Sequence, residues 1–76
     1  MFINTTIETS SGKLNIRIDS EQVIGNALTI LRESGKLPEG SSPDYFHSRL
    51  NQRPVSAYMT FGEENIHDGD ILSAIE

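Results

Sequence analysis

The 76-residue chain contains no cysteine, which excludes disulfide staples, thiol catalysis and thiolate zinc sites together. The fold must then be held by apolar burial alone, in a chain short enough to build one core and to bury only about 60% of its unfolded surface. Basic residues are also scarce: six Lys and Arg stand against eleven Asp and Glu, a formal charge of −5. That sign is wrong for neutralising a nucleic-acid backbone or for lying on an anionic membrane. No run approaches about eighteen apolar residues, and the start, MFINTTIETSSGK, lacks a basic segment leading into an apolar one. The expectation is a cytoplasmic protein, without direct membrane insertion and without nucleic acid as a partner.

Catalytic signatures are missing too. The chain has no G-x-S-x-G elbow, no G-x-x-x-x-G-K-[ST] loop and no G-x-G-x-x-G turn, and its only histidines, His47 and His67, lie in no recognisable motif. Glu63, Glu64, His67, Asp68 and Asp70 crowd one segment. Asp68-Gly69-Asp70 nevertheless lacks the further acidic position and distal glutamate of a calcium loop, and a single histidine does not make a zinc site. These side chains read as caps and turn residues. The expectation is no enzyme, no catalytic residue, no cofactor and no metal.

What is present is enough to fold: 36% of residues are apolar and 22% charged, outside the disordered range. Residues 2–8 place Ile3, Thr5 and Ile7 on one side of a strand, the turn signal of Ser10 to Lys13 follows, and Leu14, Ile16 and Ile18 alternate with polar residues. The two strands predict a hairpin. The period then changes to helical, with Val23, Ala27, Ile30 and Leu31 in one stripe widened by Ile24 and Leu28. Asp19 or Ser20 is the expected N-terminal cap, Arg32 suits the far end, and Gly35 with Pro38 marks the stop. Gly25 either allows close approach to the sheet or is a tolerated glycine.

Residues 37–44 read as a loop, and residues 45–50 as a strand with Phe46 and Leu50 on its inner side. After a turn at Asn51 to Pro54 comes a short strand at Val55 to Tyr58. Thr60 and Glu63 stand in the capping-box relation and predict one short helical turn ending by Asn65. Ile66 then enters the core, HDGD turns the chain, and Ile71 to Ile75 form a last, central strand. If Phe46 and Leu50 point inward, Tyr45, His47 and Arg49 face outward in a row, with Arg53 in the next turn and Tyr58 nearby. Tyrosine and arginine anchor protein interfaces, so this row is the candidate protein-binding surface.

Thr60, Phe61, Asn65, Ile66, Gly69, Asp70, Ile71 and Leu72 fall at the spacing of the last third of the ubiquitin-like β-grasp proteins, and the preceding order of elements agrees over the whole chain. The resemblance implies an α+β fold, order ββαββ(short helical turn)β, with a mixed sheet of about four or five strands on one helix, as a single domain over residues 1–76. The ending NIHDGDILSAIE most resembles the YukD/EsaB-type accessory proteins of Gram-positive type VII secretion systems. That likeness implies a non-catalytic, cytosolic component that contacts other proteins of the secretion apparatus, as a monomer or weak homodimer. A small β-grasp subunit of a multicomponent oxygenase is the alternative. A ubiquitin-like modifier or sulfur carrier is disfavoured, because such proteins present a flexible Gly-Gly tail and this chain reads Ile75-Glu76, directly on the expected last strand.

Overall fold

A computed structural model describes residues 1–40 and 42–76; Ser41, within the expected loop, lies outside the described residues. The strands are β1 (Phe2–Thr9), β2 (Gly12–Asp19), β3 (Tyr45–Ser48), β4 (Arg53–Ser56) and β5 (Asp70–Ile75), with one helix, α1 (Ile24–Glu33), between β2 and β3. They form one five-stranded sheet in the order β2-β1-β5-β3-β4. β1 pairs antiparallel with β2 and parallel with β5, and β3 pairs antiparallel with both β5 and β4. This is the mixed sheet on a single helix that the sequence pattern predicts, with β5 in the middle.

The helix and the segment after β4 cover one face. Ile3 and Ile7 of β1, Phe46 of β3, Val55 of β4 and Leu72 of β5 meet Ile24, Ala27 and Leu28 of α1, closed over by Leu37, Ala57, Phe61 and Ile66. The alternation read in β1 and β2 therefore marks the true inner face, although Leu14, Ile16 and Ile18 on the edge strand β2 are only half-buried. Leu31 packs against the core from the helix flank, whereas Ile30 is 52% exposed.

Both ends of α1 show what local sequence can and cannot specify. At the C-terminus, Gly35 takes φ +77°, its N–H reaches the Arg32 carbonyl (3.1 Å), and that of Lys36 reaches Leu31 (2.9 Å). That is the paired closure of a Schellman motif, which the glycine permits. The N-terminus differs from expectation. Neither Asp19 nor Ser20 caps the helix; Val23 holds the cap position without a side-chain bond. The first amides are satisfied by distant carbonyls instead, Ile24 N–H to Met59 (3.0 Å) and Gly25 N–H to Ala57 (2.7 Å). Asp19 turns the chain earlier, its Oδ1 accepting from the Glu21 N–H at 3.0 Å. Gly25 belongs to the close-approach case, since a Cβ there would lie 3.0 Å from the Ala57 carbonyl oxygen.

The capping box forms reciprocally: the Thr60 N–H donates to Glu63 Oε1 and the Glu63 N–H to Thr60 Oγ1, each at 3.0 Å. Residues 61–65 make turns rather than a regular helix, closed by the Ile66 N–H bonding the Phe61 carbonyl at 2.9 Å.

Two assignments are corrected. Leu50 does not continue the inner side of β3; the strand ends at Ser48, which is fully buried, and Leu50 is 56% exposed in the following turn. Asp70 is no turn cap but the first residue of β5, with 1% exposure. One observation explains both. Asp70 Oδ2 accepts from the Ser48 hydroxyl (2.5 Å), and Oδ1 accepts from the Leu50 N–H (3.0 Å) and the Ile71 N–H (2.8 Å). A buried carboxylate needs such donors, and bending the chain at Arg49 to deliver the Leu50 amide turns the Leu50 side chain away from the core. Asn51 completes the network, donating from Nδ2 to Ser48 Oγ (3.1 Å) and to the Asn65 carbonyl (2.9 Å).

Candidate functional site

The candidate surface is the sheet face opposite α1, and strand parity decides what it carries. Phe46 and Ser48 are buried, so Tyr45 and His47 point outward. The Arg49 N–H donates to the Ile71 carbonyl at 3.1 Å, which prolongs the β3–β5 register by one step and keeps Arg49 in the same exposed row. On β5 the register partners are Ile75 beside Tyr45 and Ser73 beside His47. On β4 they are Ser56 and Pro54. The face thus has an apolar end, where Tyr45 (55% exposed) adjoins Ile75 (49%), and a basic end at Arg49 beside Ile71. Glu8 of β1 borders the middle, its Oε1 accepting from the Ser73 hydroxyl at 3.3 Å.

Tyr58 lies in the segment beyond β4, in a cleft it lines with Val23 and Asn26 at the start of α1. Its phenol donates to Asp44 Oδ1 at 2.5 Å, and Asp44 immediately precedes Tyr45. That hydrogen bond, the Asp44 charge and a smaller push from Tyr45 raise the Tyr58 pKa above its ordinary 10.0. The structure therefore keeps Tyr45, His47 and Arg49 in one exposed row and ties Tyr58 to its end through Asp44.

Arg53 does not join them. It lies on the same side of β4 as the buried Val55, opposite Ser48 in the register. Its guanidinium reaches Glu64, with Nη1 3.3 Å from Oε1 and Nη2 2.9 Å from the carbonyl oxygen. The sequence pattern put Arg53 in the turn after the row, but it is the first residue of β4, on that strand's inner side. The sequence signal that could have placed Arg53 is Val55: two residues apart on a strand means one face.

The acidic cluster is distributed among structural partners. Glu63 caps Thr60, Glu64 holds Arg53 and accepts from the Ser56 N–H (2.5 Å), and Asp68 accepts from the Asn4 N–H (2.7 Å). Asp70 is buried as described, and His67 is exposed. No group of three or more His, Cys, Asp or Glu side chains converges among the described residues. Nor is any helix among them long and apolar enough to cross a membrane.

This geometry is the ubiquitin-like β-grasp fold, five mixed strands around a single helix. Solved structures agree. A protein designed on the basis of ubiquitin superposes with a TM-score of 0.65 at 21% identity, over 97% of this chain and 87% of that one. The EccD5 ubiquitin-like domain from Mycobacterium xenopi gives 0.57 at 19% identity, covering 99% and 93%. The C-terminal ubiquitin-like domain of mouse tubulin-specific chaperone e gives 0.60 at 13%, covering 96% and 84%. Identities this low establish a shared fold. No protein-family profile and no curated protein sequence matches the chain.

Proposed function

We propose that this chain is a non-catalytic ubiquitin-like binding module, acting in the cytoplasm as an accessory or regulatory component of a type VII secretion system of the YukD/EsaB type. The observation that carries the binding function is the outward row Tyr45, His47 and Arg49, set beside Ile71 and Ile75. It offers two exposed aromatic or aliphatic anchors and a guanidinium on a rigid sheet, the composition that protein interfaces favour. The secretion assignment is supported by the resemblance of NIHDGDILSAIE to those accessory proteins, and the β-grasp fold is compatible with it.

The test is affinity capture from the native cell with the unaltered chain and with a Tyr45→Ala/Arg49→Ala variant. The expected result is recovery of secretion-apparatus proteins, such as an FtsK-like ATPase, by the unaltered chain and loss of most of that recovery by the variant. Circular dichroism checks that both are folded. Equal recovery by the two proteins removes the proposed face, and recovery of a di-iron hydroxylase instead removes the secretion assignment.

A further inference from the structure

β2 is an open edge of the sheet, and its hydrogen-bonding parity is fixed by the hairpin. The Ser20 N–H donates to the Met1 carbonyl at 2.7 Å. With the register running from Phe2↔Asp19 to Thr9↔Gly12, this makes the even-numbered residues of β2 the ones bonded to β1. The amides of Lys13, Asn15, Arg17 and Asp19 therefore point out of the sheet, and none has a protein acceptor among the described residues. Their side chains lie on the outer face. On the inner face Leu14, Ile16 and Ile18 stay half-buried, lining with Ile30 and Leu31 a groove of about 400 Å³ between β2 and α1. An open strand of eight residues with an apolar side is a template for further pairing.

The sequence of β2 is complementary to itself. Two copies laid antiparallel about a two-fold axis at Ile16 set Ile16 beside Ile16, Leu14 beside Ile18, Asn15 beside Arg17 and Lys13 beside Asp19 of the second copy. Parity agrees with this arrangement. The outward amides of Asn15 and Arg17 meet as hydrogen-bonded pairs, while the apolar residues fall at the non-hydrogen-bonded positions, where side chains approach most closely. The end pairs join opposite charges, and Lys13 has no ion-pair partner among the described residues. Other registers are worse. An axis at Asn15 sets Lys13 against Arg17, and one at Arg17 sets Arg17 against itself. An axis at Leu14 or Ile18 leaves Ile16 facing Gly12 or Ser20. The apolar grooves of the two copies become continuous across the paired strands.

We propose that the chain forms a two-fold dimer through antiparallel β2–β2 pairing centred on Ile16, which joins the two five-stranded sheets into one. This surface is separate from the β3 face, so both can be used together. Sedimentation equilibrium of the full chain over a wide concentration range tests it. The unaltered protein populates dimer as concentration rises. K13E places two like-charge pairs in the interface and weakens association by about tenfold or more. D19K does the same in the opposite sense, and an equimolar mixture of the two variants regains association, because each end pair then joins opposite charges. Asn15→Pro removes an outward amide while sparing the β1 ladder; it yields monomer, with circular dichroism confirming the fold. A chain that remains monomeric at millimolar concentration overturns the proposal and leaves the edge to a strand of another protein. K13E or Asn15→Pro associating as strongly as the unaltered protein also overturns it.

Discussion

At the β4 edge the outward main-chain positions are closed from several directions. Pro54 has no N–H to present, the Ser56 N–H is taken by the Glu64 carboxylate, and Arg53 locks Glu64 in place. At the β2 edge, which is twice as long, alternate amides from Lys13 to Asp19 meet no protein acceptor among the described residues. An unsatisfied strand edge invites another strand, so one side of this molecule is sealed against association and the other is not. The sealed side also carries the buried network of Asp70, Ser48 and Asn51, and beside it lies the exposed Tyr45–Arg49 row. The closed half thus presents side chains, whereas the half with the open edge presents its backbone.

The contrast can be broken most forcefully at Asp70. Asp70→Ala deprives the Ser48 hydroxyl and two amides of their acceptor inside the core, and the expected loss is about 3 kcal/mol. Small domains have total stabilities of about 5 kcal/mol at the low end, so urea unfolding should show a greatly reduced midpoint. Glu64→Ala should cost about 1–2 kcal/mol and, by releasing Ser56 and Arg53, speed amide exchange along β4 until that edge resembles β2. Unchanged exchange at Ser56 would mean that Glu64 does not seal the edge.

Gly25→Ala tests the seam between α1 and the segment after β4. Alanine is the better helix former by about 1 kcal/mol, but its Cβ would press on the Ala57 carbonyl oxygen at 3.0 Å, and overpacking against backbone costs about 1–3 kcal/mol. A net loss of about 1 kcal/mol is expected, and a gain in thermal stability would show that the seam yields easily.

The smallest effect lies at the end of β2. The Glu21 N–H foremost, helped by the N-terminal ammonium, holds Asp19 below its ordinary 3.8. A carboxyl depressed in the folded state contributes stability above its unfolded pKa and loses it as pH falls through the folded value. Thermal unfolding below about pH 4 should therefore fall more gently for Asp19→Asn than for the unaltered chain. Parallel curves would assign acid sensitivity elsewhere.

How much of this was legible depended on the distance between cooperating residues. The alternation of Leu14, Ile16 and Ile18, the helix stop at Gly35 and the Thr60–Glu63 box each involve neighbours within one strand or turn, and all three formed as read. The outward row Tyr45, His47 and Arg49 was legible for the same reason, since Phe46 alone sets its parity. Three readings failed where the partner is remote. The helix start is satisfied by carbonyls at Ala57 and Met59, Leu50 gives its amide to Asp70, and Arg53 turns to Glu64. Ile30 belongs with them: its helical spacing is apolar, but it lies at the open rim of the groove between α1 and β2 and is 52% exposed.

By itself, then, the order of amino acids determined the kinds of element, their order and most of their inner faces, because hydrophobic period and capping act over a few residues; it set the strand β4, expected at 55–58, two residues late. Only the tertiary structure decided that Asp70 is a core residue rather than a turn acid, that Arg53 seals an edge rather than offering a contact, and that β2 is left open. Each of those depends on which strand lies beside which. That is settled by burial across the whole sheet; local parity such as Arg53–Val55 gives a side but not a neighbour.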